Sequence, residues 1–223
     1  MKYYGQNKLD QYIHENWIRK PFKDGTFLEL GAIDGVKFSN TKFFEDNMGF
    51  NKGVLIEPDP NAFKRLVKMR PNCQCFNYAV HNTLSEINFL QSNENAVGCI
   101  ETSAEKPFKE RWHKNSNKLS LPAKKLSSIL SETDIKYIDF WSLDVEGAEL
   151  ECLKSMDWNI PIGLLCIEIK DTKYDNPDEE KIRQILKDKN FTLVGEHRQG
   201  GSLTVINNIF LNKEYFRINL FNE

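Results

Sequence analysis

The sequence lacks the features that would place the protein in a membrane, in an oxidising compartment or on nucleic acid. It has no run of about 18 apolar residues and no basic segment followed by an apolar one at its N-terminus. Its 30 Lys and Arg residues against 32 Asp and Glu residues give a formal net charge of −2, so no global positive field attracts a phosphate backbone. Its five cysteines are odd in number, which argues against a disulfide framework. We therefore predict a cytoplasmic protein with no membrane insertion and no nucleic-acid partner.

Apolar strand-like runs alternate with amphipathic helix-like segments from residue 26 to residue 211. A chain of 223 residues suits one domain that buries on the order of 70% of its unfolded surface. We predict a single α/β domain, residues 1–223, on a doubly wound and mostly parallel sheet. The predicted strands are 26–30, 53–57, 74–80, 138–144, 164–169, 191–194 and 208–211, the last two as an antiparallel pair. The predicted helices are 41–48, one that begins at Asp59-Pro60, one that begins near Ala148, and 178–189.

Two segments fall outside this alternation. Residues 1–20 carry apolar and aromatic side chains at roughly helical spacing, so we predict an N-terminal helical segment that packs against the sheet. Residues 91–117 form a connection with little periodicity. Connections of this length inside a compact domain are usually functional, so we predict a flap over the substrate. Its polar and aromatic residues include Asn93, Glu94, Asn95, Glu101, Trp112 and His113.

The most informative segment is TFLELGAIDG, residues 26–35. Its apolar run breaks into a turn at Gly31, which lets the main chain approach a small ligand closely. A second acidic residue, Glu57, ends the next apolar run, and an acid at that position commonly binds both ribose hydroxyls. The next glycine after Gly31 is Gly35, a wider spacing than the GxGxxG of nicotinamide enzymes. The pattern predicts an enzyme that binds an adenosine-bearing cofactor.

Further short motifs follow LELGAIDG in order along the chain. They are Ser39-Asn40-Thr41, Ile56-Glu57-Pro58, Ala79-Val80 and DVEGAELE at residues 144–151. As a set, these motifs closely resemble the FkbM-like family of S-adenosylmethionine-dependent O-methyltransferases. The resemblance implies a class I, Rossmann-like methyltransferase fold with seven strands, the last one inserted antiparallel. It also implies S-adenosylmethionine as the cofactor and points to a sugar or glycan as the acceptor.

Each chemical group of S-adenosylmethionine needs its own environment. Glu29 suits the ammonium group, directly or through water, and Glu57 suits the ribose hydroxyls. The N–H groups of Gly31 and of the helix start at residues 39–41 suit the carboxylate. The adenine would lie along Ala79-Val80. The predicted cofactor-binding residues are Glu29, Gly31, Ala32, Asp34, Ser39, Asn40, Thr41, Glu57, Pro58, Ala79, Val80 and Asp144.

Methyl transfer to oxygen requires alignment of the reacting atoms and a group that accepts the hydroxyl proton. Asp144 is the first polar residue after its strand and should point toward the transferred methyl group. Two arrangements are open: His197 accepts the proton while Asp144 orients it, or a divalent cation on Asp144 and Glu168 acidifies the hydroxyl. Glu149 is more simply explained by the positive end of the helix that begins beside it. The predicted catalytic residues are Asp144, His197 and Glu168.

The acceptor is predicted from the flap. Trp112, flanked by Arg111 and His113, would stack on a sugar ring and surround its hydroxyls with polar groups. Two other functions stay open. One is a nucleic-acid methyltransferase, which the near-neutral charge disfavours. The other is a non-catalytic cofactor-binding module of a larger glycan-processing polypeptide.

Overall fold

The computed structural model describes residues 1–91, 98–104, 106–170, 178–198 and 205–217. Eleven strands are present in this part of the chain. They are β1 (Gly25–Leu30), β2 (Phe50–Ile56), β3 (Gln74–Phe76), β4 (Ala79–Val80), β5 (Glu86–Gln91), β6 (Cys99–Ile100), β7 (Asn117–Lys124), β8 (Ile138–Leu143), β9 (Ile162–Lys170), β10 (Phe191–Arg198) and β11 (Val205–Asn212). The helices are α1 (Leu9–Asn16), α2 (Lys42–Asn47), α3 (Pro60–Met69), α4 (Lys106–Trp112), α5 (Leu126–Ser131), α6 (Glu149–Ser155) and α7 (Glu179–Asp188).

Seven strands form the main sheet in the order β10-β11-β9-β8-β1-β2-β3. Strand β11 is antiparallel to both of its neighbours, while the pairings among β9, β8, β1, β2 and β3 are parallel. The predicted doubly wound, mostly parallel sheet with its last strand antiparallel is confirmed. None of the described helices is long and apolar enough to cross a membrane.

The central strands β1 and β8 are buried along their whole length, polar residues such as Glu29 and Ser142 included. Two separate apolar clusters cover the two faces of the sheet. One includes Leu28, Trp141 and Leu165, and the other includes Phe27, Phe140 and Leu164. Successive residues of each strand therefore contribute to opposite layers.

The helix predicted to begin at Asp59-Pro60 is present as α3 and has a side-chain cap. Asp59 accepts hydrogen bonds from the N–H groups of Asn61 and Ala62 and so caps α3, with Pro60 at its first turn. In the N-terminal segment, a 3₁₀ turn (Gln6–Lys8) leads into α1, whose Leu9 and Ile13 are buried against the sheet. Helix α1 thus packs on the face of the main sheet that carries Phe27 and Phe140.

A second sheet, of order β4-β7-β5-β6, is a feature that the sequence patterns did not predict. The predicted strand 74–80 is in fact two strands, of which β3 joins the main sheet and β4 the second sheet. The predicted flap likewise has regular structure, because β6, α4 and the start of β7 lie within residues 91–117. Asn93, Glu94 and Asn95 lie outside the described residues.

Candidate functional site

The turn after β1 passes directly beside the chain that leaves β8. Gly31 has a φ of +77°, and a Cβ at this position would lie 1.9 Å from the main-chain oxygen of Asp144. A side chain there is excluded both by backbone conformation and by space. Glycine at this position therefore brings the ends of two neighbouring central strands together at the carboxyl edge of the sheet, where open α/β sheets bind their ligands.

A first cavity opens at this edge and encloses about 770 Å³ of space, its open mouth included. Of the predicted cofactor-binding residues, it brings together Gly31, Glu57, Pro58, Ala79, Val80 and Asp144. The second sheet closes the cavity through Phe89 and Ile100, and Tyr78 adds an aromatic ring. The cavity thus has an apolar region beside the buried carboxyl group of Glu57, a combination that suits an adenosine.

Glu57 is only 5% exposed, and the main chain holds its carboxyl group in place. One oxygen accepts a hydrogen bond from the N–H of Ile33 and the other from the N–H of Asp59, both at 2.8 Å. Burial raises the pKa of Glu57 from 4.5 to about 8, although these two hydrogen bonds oppose the shift. Each oxygen keeps a lone pair for a further donor such as a ribose hydroxyl.

A second cavity, of about 480 Å³ with its mouth, adjoins the first. Both cavities are lined by Gly31, Asp144 and Glu146, so they meet at the ends of β1 and β8. Glu29 and Asn40 line only the second cavity, and Glu57 only the first. Glu29 and Glu57, which were predicted to bind opposite ends of one ligand, therefore line adjoining cavities.

Glu29 is buried and supports the start of α2. Its carboxyl group accepts hydrogen bonds from the hydroxyls of Ser39 and Thr41 and from the N–H of Asn40, at 2.7–2.8 Å. The guanidinium of Arg70 lies 3.8 Å away. Burial raises the pKa of Glu29, against the opposing effects of Arg70 and of these hydrogen bonds. The side chain thus has a clear structural function in addition to its position in the second cavity.

The main-chain N–H groups expected to bind the cofactor's carboxylate are already used. The N–H groups of Gly31 and Ala32 both donate to the carbonyl of Ile56, at 3.1 and 3.2 Å. At the start of α2, the N–H of Asn40 donates to Glu29 and that of Thr41 to the Ser39 hydroxyl. The prediction that these groups bind the carboxylate is wrong, because the turn and the helix start satisfy each other.

Four predicted cofactor residues lie outside both cavity linings. Ala32, Ser39 and Thr41 are at most 2% exposed, and the two hydroxyl groups serve Glu29 instead. Asp34 accepts hydrogen bonds from the N–H groups of Val36 and Lys37 and so shapes its own loop. These four residues build the site, and the structure contradicts the prediction that they line it.

Carboxylates gather where the two cavities meet. Asp144 and Glu146 line both cavities. Leu143 pairs with Ile167 in the parallel ladder of β8 and β9, so Asp144 and Glu168 occupy the next neighbouring positions. Glu168 is buried at the edge of a further open cavity.

Glu149 lines the same further cavity as Glu168, and its carboxyl group has a structural function. Its carboxyl group accepts hydrogen bonds from the N–H groups of Val145 and Gly147, at 3.1 and 3.2 Å. It therefore fixes the loop between β8 and α6 from the first turn of that helix.

His197 lies within β10, where it pairs with Asn207, and its ring centroid lies 5.1 Å from that of Tyr12. Burial lowers its pKa. Three inter-strand steps of about 4.8 Å separate β10 from β8, or about 14 Å in all. The prediction that Asp144 orients His197 is therefore wrong, because the two side chains are too far apart to share a hydrogen bond.

The divalent-cation arrangement also receives little support. Within the described ranges, no group of three or more His, Cys, Asp or Glu side chains is placed to hold a metal ion. A cation bound by Asp144 and Glu168 would therefore have no third His, Cys, Asp or Glu ligand among the described residues.

The predicted acceptor residues lie away from these cavities. His113 is 8% exposed, with one ring nitrogen 2.8 Å from the Ser116 hydroxyl and the other 3.5 Å from the sulfur of Cys99. The Trp112 ring is 41% exposed, and the guanidinium of Arg111 lies over it at 4.9 Å. None of the three lines the first, second or further cavity. The prediction that they form one acceptor surface at the site is not supported, because His113 faces the interior.

Sequence reasoning missed several lining residues. Phe89 and Ile100 reach the first cavity from the second sheet, and the alternation of polar and apolar residues at the start of β5 was the available signal. Gln6 and Asn207 line the second cavity from opposite ends of the chain. No local pattern marks Asn207 as a lining residue, because long-range packing alone brings it there.

Known proteins are similar to this chain in sequence pattern and in fold. The sequence model of the methyltransferase FkbM domain matches residues 29–193. Among solved structures, the chain is similar to a methyltransferase FkbM from Methylobacillus flagellatus KT, with a TM-score of 0.52 and 14% identity over 91% of this chain and 50% of that one. The chain thus spans about half the length of that protein. A comparison with curated proteins gives no match.

Two further solved structures share the fold at low identity. A ribosomal protein L11 methylase from Lactobacillus delbrueckii subsp. bulgaricus aligns with a TM-score of 0.51 and 11% identity, over 93% of this chain and 79% of that one. M. capricolum TrmK in complex with S-adenosyl-homocysteine aligns with a TM-score of 0.52 and 8% identity, over 89% of this chain and 66% of that one. These likenesses show the class I methyltransferase fold.

Proposed function

The chain belongs to the methyltransferase FkbM family, and from that premise we propose that it methylates a hydroxyl oxygen of a sugar or glycosylated metabolite. S-adenosylmethionine is its cofactor. The adenosine would occupy the first cavity, with the ribose on Glu57, and the amino-acid end would occupy the second. The sulfonium would then lie where the cavities meet, beside Asp144.

The charge of this junction is the observation that carries the proposal. Asp144 and Glu146 line both cavities, and no Lys, Arg or His occurs among the described residues that line them. Carboxylates attract the cationic sulfonium and accept hydrogen bonds from neutral hydroxyl groups. They repel the phosphates of a nucleic acid, whose binding depends on cationic side chains. A neutral acceptor rich in hydroxyl groups suits this environment best.

The reaction is an in-line displacement. Bound in these cavities, S-adenosylmethionine would supply its methyl group to the acceptor oxygen in line with the carbon–sulfur bond, whose electron pair would stay on sulfur in the product S-adenosylhomocysteine. The hydroxyl proton passes to the carboxylate of Asp144 and from there to solvent. Alignment of oxygen, carbon and sulfur supplies part of the rate enhancement, and a positioned proton acceptor typically adds about 10²–10⁴-fold.

The test is transfer of isotopically labelled methyl groups from S-adenosylmethionine to a panel of saccharides, followed by mass spectrometry of the products. We expect label on a sugar oxygen. Asp144→Asn should lower the transfer rate by about 10²-fold or more and leave the binding of S-adenosylhomocysteine nearly unchanged. The exposed helix variant Asp188→Asn is the matched control and should transfer at the normal rate. Label on RNA or protein but on no saccharide would refute the proposed acceptor.

A further inference from the structure

The further cavity is larger than either of the two cavities assigned to the cofactor. It encloses about 1400 Å³ with its open mouth. Its walls come from the turn after β4, the turn after β6, the start of α6, the end of β9 and the start of α7. Pockets of about 300–1,000 Å³ hold drug-sized ligands, so this space is sufficient for several sugar rings.

The loop between β8 and α6 separates the further cavity from the cofactor cavities. Glu146 lines both cofactor cavities, and the next residue, Gly147, lines the further cavity. Glu168 also lines the further cavity, and its strand position is next to that of Asp144, one inter-strand step of about 4.8 Å away. A hydroxyl group that extends from the further cavity past Glu168 therefore comes close to the proposed proton acceptor.

The turn after β6 forms one wall of the further cavity through Thr102, Ser103 and Ala104. These residues belong to the segment 91–117, which the sequence predicted to cover the substrate. Gly147 has a φ of +106°, and a Cβ at this position would lie 2.7 Å from the main-chain oxygen of Ser103. The turn thus packs directly on the loop after β8, and only glycine permits this approach.

Neutral polar side chains line the cavity from two separate turns. Asn82 and Thr83 follow β4, and Thr102 and Ser103 follow β6. Hydroxyl and amide groups both donate and accept hydrogen bonds, as the hydroxyl groups of a sugar do. This part of the lining therefore suits a saccharide.

The charged side chains of the lining are mostly acidic. Four carboxyl groups line it, those of Glu149, Glu151, Glu168 and Asp178. Among the described lining residues, Lys154 is the one Lys or Arg, and its ammonium lies 2.9 Å from Glu151. His81 adds no positive charge, because its Nδ1 accepts hydrogen bonds from the N–H groups of Thr83 and Leu84 and so carries no proton. This lining should attract an ammonium group and repel an anionic one.

We propose that the further cavity binds the acceptor, and that the acceptor is an oligosaccharide that carries amino groups rather than carboxylate or phosphate groups. The hydroxyl and amide side chains bind its ring hydroxyls, and the carboxylates attract its ammonium groups. The hydroxyl that is methylated beside Asp144 stays neutral. The inference rests on the proposed methyl transfer to a sugar hydroxyl and adds the binding site and the charge of that sugar.

Three tetrasaccharides with one β-1,4-linked backbone test the preference for charge: the tetramers of glucose, glucosamine and glucuronic acid. Transfer of labelled methyl groups from S-adenosylmethionine is measured at low ionic strength, with the amines protonated. The glucosamine tetramer should be methylated at least about tenfold faster than the glucuronic acid tetramer, with the glucose tetramer between them.

A double variant tests whether the lining causes this preference. Glu151→Gln with Asp178→Asn should lower the rate ratio of glucosamine to glucuronic acid tetramer by at least about threefold, because it removes two negative charges from the cavity. Glu180→Gln with Asp188→Asn is the matched control. It removes the same charge from exposed positions of α7 and should leave the ratio unchanged.

A single variant tests the location of the site. Thr102 is exposed at the rim of the cavity, so Thr102→Trp should fold normally and narrow the cavity. Methyl transfer to the glucosamine tetramer should fall at least about tenfold, while the affinity for S-adenosylhomocysteine changes less than about twofold. Thr192→Trp, on the exposed side of β10, is the matched control and should keep the normal rate.

Each result decides between the possibilities. A preference for the glucosamine tetramer that falls in the double variant, together with lost transfer in Thr102→Trp, supports the proposal. Normal transfer in Thr102→Trp, equal loss of S-adenosylhomocysteine affinity in that variant, or a preference for the glucuronic acid tetramer would overturn it. Label on other saccharides but on none of these tetramers would also overturn it and leave the proposed function intact. Label on RNA or protein and on no saccharide would refute the proposed function itself.

Discussion

Glu57 should make the stability of the unliganded protein depend on pH. Its pKa is raised to about 8 by burial, against 4.5 for an unhindered glutamate. Because the folded state holds the proton more tightly than the unfolded state, this group favours folding below pH 4.5 and loses that contribution as the pH rises toward 8. At about 1.4 kcal/mol per unit of pKa shift, the free energy of unfolding loses about 5 kcal/mol in all.

Urea unfolding at several pH values measures this effect, with Glu57→Gln as the comparison. Between pH 5.5 and pH 8, the free energy of unfolding of the unaltered protein should fall by about 3 kcal/mol relative to the variant. Other groups whose pKa is raised by burial, such as Glu29 and Asp10, are common to both proteins and cancel in the difference. Parallel pH profiles for the two proteins would refute the assigned pKa of Glu57.

The proton on Glu57 should also oppose binding of the cofactor. Ribose hydroxyls donate to an ionised carboxylate, so below pH 8 the bound state must release the Glu57 proton. The affinity for S-adenosylhomocysteine should therefore rise with pH by up to about tenfold per unit and level off above pH 8. Calorimetry of Glu57→Gln should show weaker binding without this rise. A rise of equal slope in the variant would show that another group is responsible.

Three further substitutions test the surrounding structure. Arg70→Met removes a fully buried guanidinium that pairs with Glu45 at 2.6 Å and lies 3.8 Å from Glu29, so urea unfolding should show a loss of about 3–5 kcal/mol in the free energy of unfolding. This loss should be smaller in a Glu29→Gln background, and additive losses would contradict the coupling of Arg70 with Glu29. Gly31→Ala should cost about 1–2 kcal/mol from its positive φ alone, and by displacing Asp144 it should lower kcat more than the affinity for S-adenosylhomocysteine. His197→Ala should leave the rate of methyl transfer within about threefold of normal, because about 14 Å separates His197 from the end of β8. A loss of about 10²-fold in this rate would instead indicate that His197 is the base.

The sequence patterns were sufficient for the main sheet and for one end of the site. Glu57 was identified because an acid after a buried strand has one possible location in a doubly wound sheet, at its carboxyl edge. The apolar residues of β1 and β8 likewise predicted strands in the centre of the sheet, where both faces are covered. These features depend on local sequence and on the general rules of parallel sheets.

The errors come from contacts that local sequence does not encode. The availability of the Gly31 N–H depends on the Ile56 carbonyl opposite it, in another strand. The predicted strand ended at residue 194, yet pairing with β11 extends β10 through Arg198 and so includes His197. The second sheet depends on the pairing of β5 with β7, which are far apart in the chain. Short strands of two to six residues give little signal of such partners.

The most direct test of the account is the crystal structure of the complex with S-adenosylhomocysteine. We expect the ribose hydroxyls within hydrogen-bond distance of Glu57, the adenine beside Ala79 and Val80, and the homocysteine end in the second cavity with Asn40. The sulfur should face Asp144. A ligand bound elsewhere, or one that reverses these two ends, would contradict the central claim that the adjoining cavities hold one cofactor.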